Sequence, residues 1–174
     1  DYRVYRFEGS DCTKKMIKFF EDKYPVGIRK YIGFNSSRFD IYFVISCLIN
    51  ELDKTPNLIV FKDKIYCEDA LNIFLDIKPL LPVGSLASLC GQFKTVLRKL
   101  KGDISFNYMN DVFNDPYKGK NDINQFLNYL HYDKYTPDNS RNVYDVWFNY
   151  CDMDVKCLGE LYYVVRSSLC KLLN

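Results

Sequence analysis

The sequence predicts an α/β fold, with a mixed sheet flanked by helices. Three observations carry this. Short apolar runs of strand length, "KYIGF" (30–34), "NLIVFKDKIYC" (57–67) and "LNIFLDI" (71–77), are interleaved with stretches whose apolar residues recur every three or four positions. Turn formers punctuate the boundaries, at Pro25, Gly27, Pro79, Pro82 and Gly84. The 174 residues are 48% hydrophobic and 17% aromatic, enough apolar material for a single domain with a real core.

The elements follow in order. "YRVYRFEG" (2–9) alternates and ends in Gly9, so it reads as a strand. Ser10 or Asp11 can cap a helix carrying Met16, Ile17, Phe20 and Tyr24, which Pro25 and Gly27 stop. Residues 30–34 are a second strand. A helix near 38–52 repeats Phe39, Phe43, Cys47 and Val44, Leu48, Leu52 at a spacing of four. Residues 57–67 read as a hairpin around Lys62-Asp63, and 71–77 as a buried strand. "SLASLCGQF" (85–93) is a helix with Leu86, Leu89, Cys90 and Phe93 to one side. The stretch 102–121 is polar and rich in turns, and 122–132 is an amphipathic helix. Residues 142–172 form a long helix, with a break expected near Gly159.

Composition excludes several function classes. With 24 basic and 22 acidic residues the net charge is +2, so any footprint for a polyanion must be local. The longest apolar run, "IYFVISCLI" (41–49), is too short to span a membrane, and no membrane partner is expected. The seven cysteines form no Cys-x-x-Cys pair and His131 is the only histidine, which argues against zinc and against a disulfide framework. A reducing, intracellular compartment fits this cysteine usage.

Three groups of residues carry possible chemistry. Asp40 follows an apolar strand and a polar turn, then opens an apolar helix. It is either a first-turn acid favoured by the helix dipole or a divalent-metal ligand at a strand end. In "YCDMDVKCLGELY", Tyr150 and Asp154 lie four apart, on the face continued by Cys157, Leu158 and Leu161. A carboxylate on a buried face calls for a cation, a metal or hydrogen-bond donors. Lys94, Arg98 and Lys101 are basic residues beside Leu97 and Leu100, and read as a helix end or as phosphate contacts.

The order of these groups is informative. Asn35-x-x-x-Phe39-Asp40, then "LLPVGSLASLCGQF", then "LKGDI", then Tyr150-x-x-x-Asp154 resembles the 3′–5′ exonuclease domain of family B DNA polymerases. The similarity is greatest to the protein-primed kind of phages, adenoviruses and organellar linear plasmids. The resemblance implies a ribonuclease-H-like exonuclease fold over residues 1–174. It implies that Asp40 and Asp154 bind metal, Mg²⁺ in complete relatives. It implies that Tyr150 orients the attacking water and that Lys101 lies near the scissile phosphate. Asn35, Phe39, Ser85 and Leu86 would contact single-stranded DNA or RNA, with Lys94 and Arg98 beside them. The family's first motif, Asp-x-Glu, does not occur anywhere in the sequence. Two expectations follow: a fragment of an organellar or viral polymerase, or a polymerase-derived remnant serving as a subunit of an assembly such as a mitochondrial ribonucleoprotein. In either, the partners are nucleic acid together with the remainder of a polymerase or neighbouring subunits, and nuclease activity is poor or absent.

Overall fold

The computed structural model describes residues 3–62, 64–97 and 143–173. The chain divides into two compact units, one of residues 5–83 and one of residues 1–4 with 84–174. The fold is α/β, with a four-stranded mixed sheet and flanking helices.

The sheet lies in the first unit. Helix α1 is Cys12–Lys23, strand β1 Arg29–Gly33, helix α2 Asp40–Asn50, and strands β2, β3 and β4 are Asn57–Phe61, Lys64–Glu68 and Asn72–Asp76. The strand order is β1-β4-β3-β2. β2, β3 and β4 form an antiparallel meander, and β1 returns parallel to β4 with Gly33 beside Asp76. Alternation decides the faces: Cys67 and Phe74 are paired across β3 and β4 and point to the same side. That side packs on Ile17 of α1 and on Ile41, Val44, Cys47 and Leu48 of α2. Ile17 and Leu48 are fully buried, each stabilising the fold by about 2 kcal/mol. Burial pushes the Cys67 thiol up to about 11, with the charges of Asp69 and Glu68 adding to it. All seven cysteines are free thiols.

Three expectations for this unit need correction. Residues 3–8 form no strand. Their alternation is satisfied by an aromatic cluster instead, in which Tyr5 and Phe7 pack against Phe19 and Phe20 of α1. In α2 the buried stripe is Ile41, Val44, Cys47 and Leu48, and Phe39 and Phe43 face outward. Asp11 does precede α1, but its carboxylate pairs with Lys15 at 2.7 Å rather than capping a backbone amide.

A polar cluster pins the end of the sheet where β4 begins. Asn72 is fully buried and donates to Glu21 and to Asp69, while Arg29 Nε donates to Asn72 at 2.8 Å. Lys54 bonds both Glu21 and Asp69. α1, β1, the loop after α2 and the β3–β4 turn are thereby tied together.

In the second unit, helix α3 is Leu86–Gln92 and helix α4 is Val143–Leu173. α4 runs unbroken through Gly159, so the expected interruption is absent. Its buried stripe is Tyr150, Met153, Cys157 and Leu161, with Leu89 and Cys90 of α3 buried as well. The Cys90 thiol lies 3.8 Å from the Cys157 carbonyl. Glu160 accepts the backbone amides of Val96 and Leu97, fixing the chain after α3. Among the described residues no helix is long and apolar enough to cross a membrane.

Candidate functional site

The junction between β1 and α2 carries most of the sequence-predicted residues. β1 ends at Gly33, residues 36–38 make one 3₁₀ turn, and α2 begins at Asp40. Asn35 adopts the left-handed conformation, with φ 61°. Asparagine is among the few side chains that tolerate it. Gly33 is required here on other grounds, because a Cβ would meet Ser36 Oγ at 2.1 Å and Ser36 Cβ at 2.4 Å.

The turn is folded over the end of β4 and bonded to Asp76. Asp76 Oδ1 accepts from the backbone amides of Asn35 at 2.8 Å and Lys78 at 2.9 Å. Asp76 Oδ2 accepts from the Ser37 hydroxyl at 2.6 Å and the Ser37 amide at 3.2 Å. Asp76 is only 6% exposed and Ser37 only 2%. Four donors occupy the lone pairs of one carboxylate, so Asp76 has no capacity left for a cation.

Asp40 is the first helical residue of α2, with Phe39 at the cap position. The residue is exposed at the surface. Partial desolvation of its carboxyl and, to a smaller degree, the Asp76 charge hold its pKa above the usual carboxylate value, against a lowering by its own backbone amide. A nearby cation would relieve that repulsion. The Asp40 position suits both the dipole and the metal readings.

Phe39 is 66% exposed, and Tyr42 and Phe43 are exposed beside it on the outer face of α2. Sequence reasoning assigned Phe43 to the core and did not single out Tyr42. The available signal was that three aromatics at spacings of three and four exceed what one buried stripe accommodates once Ile41, Val44 and Leu48 fill it. Lys78 Nζ sits 5.3 Å from the Phe34 ring centroid, adding a positive charge close to the turn.

The second unit holds the other candidates. Tyr150 is buried and stacks on Trp147, with ring centroids 6.1 Å apart. Asp154 flanks the buried stripe and is partly buried, with one carboxyl oxygen shielded from solvent. Asp152 is half-buried too. Ser85 caps α3, its hydroxyl oxygen accepting the Ser88 amide at 3.2 Å, and Leu86 is half-buried. Lys94 is exposed and left-handed, with φ 54°, immediately after α3. The Thr95 amide bonds the Cys90 carbonyl and the Lys94 amide bonds the Gly91 carbonyl, which makes Lys94 the turning residue of a Schellman motif. Arg98 and Lys101 lie outside the described residues, as do the predicted turn-rich stretch 102–121 and helix 122–132.

Among the described residues no three His, Cys, Asp or Glu side chains gather into a metal-holding group. Asp40 and Asp154 are hard oxygen donors of the kind Mg²⁺ takes. Asp76 cannot join Asp40 as a ligand, because its oxygens are occupied. No known protein family, characterised protein or solved structure matches this chain.

Proposed function

We propose that the chain is the exonuclease-type portion of a protein-primed family B DNA polymerase, with a ribonuclease-H-like fold, and that it holds single-stranded nucleic acid without cutting it efficiently. The observation that carries this reading is the β1–α2 junction. Asn35, Phe39 and Asp40 carry the Asn-x-x-x-Phe-Asp pattern of the resemblance, and they lie between a strand end and a helix start, with Asn35 left-handed, Phe39 outward and Asp40 the first helical residue. Phe39, Tyr42 and Phe43 offer stacking surfaces that accept any base, and Lys78 adds a cation close to the turn; by the resemblance Lys94, Arg98 and Lys101 would be contacts to the nucleic-acid backbone. By the resemblance, Tyr150 would orient water and Asp154 would bind metal. Without an Asp-x-Glu pair, Asp40 and Asp154 supply half of the usual ligands, so weak Mg²⁺ binding and little hydrolysis are expected.

The test is binding of a fluorescein-labelled oligo-dT, with oligo-U in parallel, followed by anisotropy. Phe39→Ala should weaken binding about tenfold, the size of one base stack. Lys101→Ala should weaken binding and flatten its salt dependence. A wild-type chain that fails to bind either oligonucleotide at low salt overturns the proposal.

A second reading, a polymerase-derived remnant inside an organellar ribonucleoprotein, is favoured by β2. All five of its residues are exposed, including Leu58, Ile59, Val60 and Phe61. An open apolar edge of this kind calls for a cover. Both readings share the nucleic-acid surface and differ in what covers β2.

A further inference from the structure

We infer that Asp76 is a positioning residue, whose carboxylate fixes the turn that presents Asn35, Phe39 and Asp40 to single-stranded nucleic acid. The inference rests on the binding function proposed above. A carboxylate shut away from water is costly unless its neighbours replace the lost hydration. Here the four replacements are neutral: the amides of Asn35, Ser37 and Lys78, and the Ser37 hydroxyl. Three of the four come from the turn itself, and the fourth from Lys78, two residues beyond Asp76 in its own strand exit. Hydrogen bonds to a charged acceptor are the strong kind, so the turn is held harder than packing alone would hold it.

The geometry leaves the turn little freedom on its other side. Ser36 is packed where a side chain on residue 33 would stand, and Gly33 pairs in register with Asp76. The turn is therefore clasped between the last residue of β1 and the last residue of β4. Phe39 and Asp40 follow Ser37 by two and three residues. Where Ser37 is anchored determines where α2 starts, and so the direction in which Phe39 leaves the surface. Asp76 acts through these residues and touches no ligand, since its oxygens are already filled.

An asparagine at this position has nearly the same shape but cannot do the same work. In either flip its amino group faces one of the two donor pairs that the carboxylate accepts. Asp76→Asn in the full chain should retain the helical circular dichroism and lose about tenfold in oligo-dT affinity. The double variant with Phe39→Ala should bind no more weakly than Phe39→Ala alone, because both changes remove the same contact. Ser37→Ala, which removes one donor of the four, should lose two- to threefold. It decides the matter if Asp76→Asn does not fold. Asp76→Asn binding as tightly as wild type, or losses that multiply in the double variant, would overturn the inference while leaving the proposed function standing. Wild-type chain that does not bind oligo-dT or oligo-U would overturn both.

Discussion

Replacing Asn35 by alanine and by glycine separates its backbone task from its side-chain task. The residue sits at φ 61° and ψ 17°. A side chain there crowds the following carbonyl by roughly 1–2 kcal/mol, a cost that asparagine offsets in part and glycine does not incur. Asn35→Ala should therefore destabilise the fold by about 1 kcal/mol, and Asn35→Gly by less than about 0.5 kcal/mol. Both variants keep the backbone amide that bonds Asp76 at 2.8 Å, so the anchoring of the turn is common to the pair. Urea unfolding followed by tyrosine and tryptophan fluorescence reads the difference as a shift in midpoint at constant slope. Oligo-dT anisotropy reads the side chain: glycine should bind about three- to tenfold more weakly at nearly unchanged stability. Alanine as stable as wild type would refute the left-handed assignment, and glycine binding as tightly as wild type would remove Asn35 from the nucleic-acid surface.

Burial raises the carboxyls of Glu21 and Asp69, but their hydrogen bonds, from Lys54 and Asn72 to Glu21 and from Asn72, the Leu71 amide and Lys54 to Asp69, outweigh it and hold both below their ordinary values of 4.5 and 3.8. Their stabilising effect is full above those values and is lost as the pH falls through the lower, folded ones. Lys54→Met should cost about 2 kcal/mol at neutral pH, and the gap to wild type in urea midpoint should narrow once both acids are protonated. A gap that is constant with pH would deny the cluster its ionic character. Lys94→Gly relieves a left-handed residue at the end of α3 and should stabilise the fold by about 0.5 kcal/mol while lowering oligonucleotide affinity. A lower melting temperature would show that the Lys94 side chain supports the fold.

Much of the first unit was legible because its periodicities are clean. "KYIGF" and "LNIFLDI" became β1 and β4 within a residue or two, and 57–67 became the β2–β3 hairpin. The misreadings share a physical cause. Tyr5 and Phe7 alternate as a strand does, yet their rings find partners on α1, and aromatic packing needs no ladder of hydrogen bonds. Helical spacing alone could not say which side of α2 is buried, because Phe39 and Phe43 compete with Ile41 and Leu48 for the core. Gly159 costs about 1 kcal/mol inside a helix, which the buried residues on either side of it, Cys157 and Leu161, offset. Asp76 was hidden in plain view: an acid at the end of an apolar run raises the same question as Asp40, and its answer lay in amides 39 and 41 residues away. Asp40 itself was legible as a helix-opening acid, while its coupling to Asp76 arises only from the parallel pairing of β1 with β4.

The proposed function turns on the β1–α2 junction meeting single-stranded nucleic acid. Oligo-dT titrated into isotope-labelled chain shifts the amide signals nearest the bound strand. The account predicts that the signals of Asn35, Phe39 and Asp40 shift together with one midpoint, and that Phe39→Ala weakens that midpoint about tenfold. Signals of these residues that stay in place at saturating oligo-dT, or a midpoint unchanged by Phe39→Ala, would contradict it.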